Sequence, residues 1–296
     1  MPELENKKTY FPLIDVLRFF AAVSVMFFHY FSANLNPNTI INIWIKYGYL
    51  GVNLFFVISG FVIYFSVIKN IKEYFIGRFL RLYPLFWIIC TVTYIATWVF
   101  EKYNGTGDPL PIYKYFLNLL IISNGKTTNL VDGSYWTLTI EILFYIYIGI
   151  FVYLFKAKRI EWFYVMWLAF SSMAFVFNFQ ETLLAKLALV RYAPYFVFGG
   201  ILATLYNNWN TSSSIYKIRN IAILTFASIL PYMISKQLHK HPTHSNLFGV
   251  LDDISNAIVG LIFVLILLAT YFSKYINNQK IINIAILLGG ITYPLY

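Results

Sequence analysis

Long apolar runs separated by short polar segments fill most of this chain. A run of about 18 to 22 apolar residues has the length that an α-helix needs to cross the hydrocarbon core of a bilayer. The pattern predicts nine such helices, at residues 12–31, 48–68, 83–100, 135–155, 162–180, 189–206, 218–235, 254–273 and 281–296. A tenth run at 112–123 is only about half the required length, which favours an interfacial or re-entrant segment. The predicted fold class is therefore all-α, a polytopic transmembrane helical bundle of about 9–10 spans.

Composition supports a membrane protein. Hydrophobic residues make up 59% of the chain and charged residues only 11%, against roughly 25% charged in a soluble domain. Cys90 is the only cysteine, which excludes an intrachain disulfide and a cysteine-based metal cluster. The net charge of +10 is scattered between the apolar runs, so we expect the lipid bilayer and no nucleic acid as a partner.

Basic residues predict the orientation of the chain. If the N-terminus is cytoplasmic, most of the 22 Lys and Arg residues fall on the cytoplasmic side, as the positive-inside rule requires. Counting 112–123 as a full span would move Lys156, Lys158 and Arg159 outside, which fits worse. The widest loops, 101–134 and 236–253, then face outward and are the expected determinants of acceptor specificity. Neither is long enough for a separate domain, so we predict one domain over residues 1–296.

The first apolar run carries Arg18 and His29, and ionisable groups inside a membrane segment are costly and usually functional. Eleven residues of α-helix turn through roughly 20° net and rise ~16 Å, so both side chains lie on one face. Asp15 precedes Arg18 by three residues and can pair with it. This arrangement suggests an anionic ligand held near Arg18 and a reaction near His29.

Arg78 and Arg81 are three residues apart and precede Pro84 and the third predicted span. They project from adjacent positions on one helical face at the cytoplasmic surface. Ordinary membrane anchoring by the positive-inside rule explains them and is favoured from this stretch alone. The functional alternative is a pair of guanidiniums that binds a phosphate.

The second predicted span combines small residues with large aromatic ones. Gly48, Gly51 and Gly60, with Ser59, are typical of close helix packing. Asn53 is different, because a side-chain amide buried in lipid must find a hydrogen-bond partner. Its level near the outer end of the span matches that of His29.

Glu141 is the only acid in the fourth predicted span. If this helix runs from outside to inside, Glu141 lies ~9 Å below the outer surface, at a depth similar to that of His29. A carboxylate beside an imidazole fixes its tautomer and raises its pKa, as for a general base. The alternatives are a structural buried pair, or a glutamate bonded to tyrosine hydroxyl and tryptophan indole groups; Trp136 and Tyr145 lie on the same segment.

Histidines near the C-terminal part of the chain raise the question of a metal site. The residues concerned are His239, His241 and His244, with Asp252 and Asp253 nearby. Their types suit a metal ion, but Pro242 and the irregular spacing favour a solvated loop. We predict no metal site.

Four segments together resemble the acyltransferase-3 membrane proteins, which O-acylate bacterial surface polysaccharides and other cell-envelope acceptors. The segments are LRFFAAVSVMFFH with its R-x10-H spacing, GYLGVNLFFVISGF, RFLRLYP and YWTLTIEILFY. RYAPYFVFGGIL at 191–202 and GGITYPLY at 289–296 are similar to later segments of the family, so the resemblance spans nearly the whole chain.

The resemblance implies a multi-pass protein of the bacterial inner membrane that transfers an acyl group, acetyl in particular, from cytosolic acyl-CoA. The donor is a co-substrate, no cofactor is permanently bound, and the acceptor is a hydroxyl of a carbohydrate or glycolipid; a homo-oligomer is left open. His29 is implied as catalytic base or transient acyl carrier, and Arg18, Arg78 and Arg81 as donor-binding groups. Glu141 is implied as a further catalytic residue. Supporting positions are Asp15, Asn53, Ser59, Trp136 and Tyr145.

Two positions depart from the family pattern. Asn53 stands where the family often has an acid, so a second carboxylate is missing there. Thr292 replaces the serine of the closing segment, and the chain stops at Tyr296 where relatives usually continue. We therefore expect a truncated C-terminus.

The residues and the resemblance together predict a membrane O-acyltransferase that modifies O-antigen, capsule, exopolysaccharide or a similar envelope carbohydrate. The alternative is a proton-coupled transporter or flippase of a lipid-linked sugar, in which His29, Glu141 and Arg18 form a proton relay. A transporter predicts inverted repeats, and the sequence has no convincing internal symmetry. The enzyme is the favoured hypothesis.

Overall fold

The computed structural model describes residues 10–32, 39–104, 110–121, 130–239 and 253–295. Over these ranges the chain forms twelve α-helices and no β-strand, which confirms the all-α prediction. The helices are α1 (Pro12–Phe31), α2 (Ile40–Lys46), α3 (Gly51–Val67), α4 (Ile71–Asn104), α5 (Ile112–Leu119), α6 (Trp136–Phe155), α7 (Ile160–Val176), α8 (Leu183–Leu187), α9 (Ala193–Asn208), α10 (Ser214–His239), α11 (Asp253–Ser273) and α12 (Gln279–Leu295).

Six helical segments of the described chain are long and apolar enough to cross a membrane. They are Pro12–Phe31, Gly48–Val67, Ile71–Asn104, Gly133–Phe155, Ser214–Lys236 and Ile254–Ser273. The other three predicted spans coincide with α7, α9 and α12, which have 17, 16 and 17 residues. The α5 helix has only 8 residues and is too short to span. The predicted polytopic helical bundle is thus confirmed.

Several predicted helix boundaries differ from the structure by four residues or more, and two of the differences have a clear physical reason. The third helix begins at Ile71 rather than at residue 83, and Pro84 lies inside it. The sequence placed Pro84 near a helix start, where its missing N–H does no harm; inside α4 the ring instead removes one backbone hydrogen bond. The α7 helix ends at Val176 rather than at residue 180, because Asn178 adopts a φ of 57°, a left-handed conformation that terminates helices.

Contacts divide the chain into two compact units. Unit 1 comprises Met1–Val62 and Tyr164–Tyr296, and unit 2 comprises Ile63–Phe163. The boundaries fall within α3 and α7. The expectation of a single domain over residues 1–296 stays a prediction.

In unit 1, α1 packs against α11 and α12, while α10 packs against α9 and α11. The backbone N–H of Leu13 in the first turn of α1 donates to Ser273 Oγ at 3.3 Å. The α3 and α9 helices approach so closely that a Cβ on Gly60 would collide with the carbonyl of Phe196, and a Cβ on Gly199 with that of Val57. The predicted packing role of Gly60 is therefore confirmed.

In unit 2, α4 packs against α5 and α6. Phe86, Cys90, Ile121 and Tyr135 form a buried apolar cluster. At another level of α4, the hydroxyl of Tyr74 donates to the backbone carbonyl of Tyr145 at 3.0 Å. This buried bond joins α4 to α6 where the polar side chains of unit 2 gather.

Candidate functional site

A polar cluster lies at the start of α1 in unit 1. Arg18 Nη1 donates to Asp15 Oδ1 at 2.7 Å, which confirms the predicted pair. Tyr10, just outside the helix, also bonds to Asp15; burial and this carboxylate raise the pKa of Tyr10 above its ordinary value. Asp15 thus bonds both to the half-buried Arg18 guanidinium and to the Tyr10 phenol.

The α12 helix covers Asp15. A Cβ placed on Gly289 would lie 2.9 Å from Asp15 Cγ, which is closer than side chains tolerate. Only the absence of a side chain at position 289 lets α12 approach this carboxylate. Helix packing therefore helps to fix the ion pair of Arg18.

His29 lies in the last turn of α1, and its side chain is exposed. Its ring meets the ring of Phe28 edge-on, with centroids 5.4 Å apart, and Phe28 also contacts Tyr49 at 5.4 Å. Arg18 and His29 are on one uninterrupted helix, as predicted. Their roles in donor binding and catalysis stay predictions.

Two side-chain hydrogen bonds in unit 1 involve residues near the predicted outer ends of helices. A side-chain bond joins Asn53 to Tyr195, so the expected partner of the Asn53 amide exists. The hydroxyls of Tyr49 and Ser255 lie 3.0 Å apart. Sequence reasoning missed Tyr195 and the pair of hydroxyls, because only the packing of α9 and α11 against α3 and the turn before it brings them within reach.

Three side chains of unit 2 hold the Arg78 guanidinium. Its Nη2 donates to Ser66 Oγ at 2.7 Å. Its guanidinium carbon lies 5.4 Å from the centroid of the Tyr145 ring and 5.9 Å from that of Tyr74, distances within the range of cation–π attraction. Ser66 and Tyr74 were missed by the sequence analysis; the spacing of four residues between Tyr74 and Arg78 was the available signal.

The charge of Arg78 has no carboxylate partner among the described ion pairs. The side chain is half-buried, where an uncompensated charge is costly. Aromatic faces and a hydroxyl stabilise a guanidinium without neutralising it. The arrangement in unit 2 therefore favours binding of an anionic ligand at Arg78.

Glu141 accepts a hydrogen bond from the hydroxyl of Tyr145, one helical turn further along α6. The sequence left open whether Glu141 pairs with His29 or bonds to a tyrosine, and the structure shows the tyrosine bond. Pairing with His29, which belongs to unit 1, stays a prediction.

Three further predicted positions, Ser59, Arg81 and Trp136, are half-buried, and their supporting or donor-binding roles stay predictions. Over the described residues, no group of three or more His, Cys, Asp or Glu side chains could hold a metal ion. The loop residues His241, His244 and Asp252 lie outside the described residues.

A family model described as "Acyltransferase domain" matches residues 11–296. No solved structure matches this chain. The chain is 26% identical over 302 residues to ORF330 of Acidianus two-tailed virus, which is provisionally named an acetyltransferase; the match covers 98% of this chain and 82% of that protein.

Two other relatives carry more specific names. The chain is 24% identical over 234 residues to the O-acetyl transferase of Shigella phage Sf6, with 74% of this chain and 69% of that protein covered. It is 30% identical over 156 residues to the peptidoglycan O-acetyltransferase OatA of Listeria monocytogenes, with 47% of this chain and 24% of OatA covered.

Proposed function

Because this chain belongs to the acyltransferase-3 family, whose model matches residues 11–296, we propose that it transfers an acetyl group from acyl-CoA to a hydroxyl of a cell-envelope carbohydrate. Six apolar helices and the family make it a multi-pass membrane protein. We further propose that it resides in the inner membrane with a cytoplasmic N-terminus, since that orientation places most basic residues inside.

The proposal of acyl-CoA as the donor rests on the way in which neighbouring side chains hold Arg78. Its half-buried guanidinium is fixed by Ser66 and two tyrosine rings. Coenzyme A carries phosphates, and the planar donors of arginine suit phosphate oxygens. We assign the donor's phosphates to Arg78 and to Arg81, three residues further along α4. Arg18 keeps its assignment as a donor-binding group on α1.

The names of the relatives support a carbohydrate hydroxyl as the acceptor. The Sf6 protein is an O-acetyl transferase and OatA a peptidoglycan O-acetyltransferase. Both names imply that the acyl group is received by an oxygen, and OatA's name specifies an envelope glycan. A carbohydrate hydroxyl is thus the acceptor class that we propose for this chain.

His29 is the proposed base or acyl carrier. In direct transfer, a neutral imidazole nitrogen takes the proton of the acceptor hydroxyl while the oxygen attacks the thioester carbon. The new C–O ester bond forms, the C–S bond breaks, and the imidazolium returns its proton to the leaving thiolate. In the two-step route, an imidazole nitrogen first attacks the thioester carbon, the C–S bond breaks, and CoA leaves as its thiolate. The acceptor oxygen then attacks the acyl carbon, the bond from that carbon to the imidazole nitrogen breaks, and the proton of the acceptor hydroxyl goes to the thiolate.

Transfer of labelled acetyl groups in proteoliposomes tests the proposal. With radiolabelled acetyl-CoA on the side of the N-terminus and envelope glycan on the other, we expect label in the glycan. Glycan movement that depends on a pH gradient, with no label transferred, would instead establish the transporter hypothesis. An acetylation rate in His29→Ala equal to that of the unaltered protein would refute the role of His29.

A further inference from the structure

Three side chains of unit 2 form a continuous series of contacts from a carboxylate to a guanidinium. The Tyr145 hydroxyl donates to Glu141 Oε1, and the face of the same tyrosine ring lies 5.4 Å from the guanidinium carbon of Arg78. The tyrosine therefore contacts the acid through its oxygen and the base through its ring.

Tyr145 is held in place at several points. Its side chain is buried, with 5% of its surface exposed. Its backbone carbonyl accepts the hydrogen bond from Tyr74 at 3.0 Å, and Glu141 holds the far end of the ring through the hydroxyl. A buried ring fixed at both ends provides a rigid surface for the guanidinium.

Arg78 is held in one orientation by its neighbours. A guanidinium has five N–H donors in a fixed plane, and Ser66 accepts from one terminal nitrogen at 2.7 Å. The two tyrosine rings restrict movement of the side chain. The remaining donors consequently keep fixed directions, as bidentate binding of a phosphate requires.

The charge of Glu141 reaches Arg78 through the tyrosine. The ion pairs of the described residues do not include one between Glu141 and Arg78. A phenol that donates to a carboxylate has a more electron-rich ring, because linked polar groups polarise one another. Such a ring attracts a cation more strongly. Neutralising Glu141 would therefore weaken the attraction between the Tyr145 ring and the Arg78 guanidinium.

We infer that Glu141 and Tyr145 are positioning residues for the acyl donor, which act by holding Arg78. This inference rests on the proposed function, in which Arg78 binds the donor. It differs from the expectation that Glu141 supports His29, because it assigns Glu141 to binding rather than to proton transfer. A role in donor binding predicts a change in KM for acetyl-CoA, whereas a role in proton transfer predicts a change in kcat.

Conservative substitutions separate these roles. Glu141→Gln keeps a hydrogen-bond acceptor and removes the charge, while Tyr145→Phe keeps the ring and removes the hydroxyl. In proteoliposomes, we expect each variant to raise the KM for acetyl-CoA about three- to tenfold, the effect of losing one hydrogen bond of ordinary strength. We expect kcat to change by less than about twofold and the pH profile of kcat to keep its midpoint.

A double variant tests whether the residues act in series. If Glu141 works only through Tyr145, the combination raises KM no further than either single change. In an Arg78→Gln background, which lacks the cation that the Tyr145 ring attracts, Glu141→Gln should have almost no additional effect. Matched controls on unit 2 are Tyr153→Phe, an exposed tyrosine of α6, and Glu161→Gln at the start of α7.

Failure of this inference and failure of the proposed function give different experimental results. A fall in kcat at constant KM, with a shifted pH profile in Glu141→Gln, would overturn the inference and assign the acid to His29. Multiplying effects in the double variant, or unchanged kinetics in both single variants, would also overturn it. If the unaltered protein transfers nothing from acetyl-CoA, the proposed function itself fails. Size-exclusion profiles and thermal unfolding of each variant show whether a KM change reflects a folded protein.

Discussion

Replacing Gly289 by alanine should disturb the ion pair of Arg18 through helix packing alone. The added Cβ would lie 2.9 Å from Asp15 Cγ and 3.2 Å from its Oδ1. Asp15 cannot simply move away, because it is bonded to Arg18 at 2.7 Å and to Tyr10. The neighbouring Gly290 is a matched control, since nothing lies within 4 Å of a Cβ placed there.

The expected magnitude follows from comparing the two alanines. Each gains up to about 1 kcal/mol from the higher helix propensity of alanine. Only Gly289→Ala also suffers overpacking, which costs about 1–3 kcal/mol. The difference in the free energy of unfolding should therefore be about 1–3 kcal/mol, with Gly289→Ala the less stable variant.

Thermal unfolding of the detergent-solubilised variants, followed by tryptophan fluorescence, measures this difference. A gap of several degrees is expected, at about 2–4 °C per kcal/mol for a domain of 150–250 residues. Because Asp15 is the partner of Arg18, the KM for acetyl-CoA should also rise in Gly289→Ala and not in Gly290→Ala. Equal midpoints and equal KM values would refute this account of how α12 supports Arg18.

Two further predictions concern unit 1. Asn53→Leu leaves the buried Tyr195 hydroxyl without its partner, so the free energy of unfolding in detergent should fall by about 1–3 kcal/mol. Adding Tyr195→Phe should recover much of this loss. If the double variant shows no recovery, the hydrogen bond between Asn53 and Tyr195 does not contribute as described. Burial raises the pKa of Glu181, but Arg191 and Lys186 outweigh burial and hold it below its ordinary value. The resulting stabilisation is fully present above the pKa of the unfolded state, about 4.3, and is lost as the pH falls through the pKa of the folded state. Glu181→Gln should therefore remove this acid-sensitive part from a plot of the free energy of unfolding against pH. An unchanged plot would refute the stabilising role of Glu181.

Much of the fold follows from the sequence because lipid imposes a strong length rule. The first apolar run begins at Pro12, a residue that suits a helix start, and α1 has the predicted bounds, 12–31. The start of α4 could not be found in this way. Lys72, Glu73 and the two arginines lower the apolar character of its first turns, and Pro84 looks like a beginning although it lies inside the helix.

Local pairs of the site were also predictable, whereas contacts across the fold were not. Arg18 and Asp15 are three residues apart on one helix, so their pairing needs no tertiary information. Arg78 is surrounded by Ser66 from α3 and Tyr145 from α6, residues that only packing brings to it. The need of Asn53 for a partner was evident, but nothing in the pattern identified Tyr195.

We propose that the chain acetylates an envelope carbohydrate and that His29 is essential for this reaction. Mass spectrometry of the envelope glycan, from cells that lack the gene and cells that carry it or its His29→Ala form at equal membrane levels, tests this most directly. We predict the mass of added acetyl groups only with the unaltered chain. A glycan of identical mass in all three strains, or full acetylation by His29→Ala, would contradict the claim.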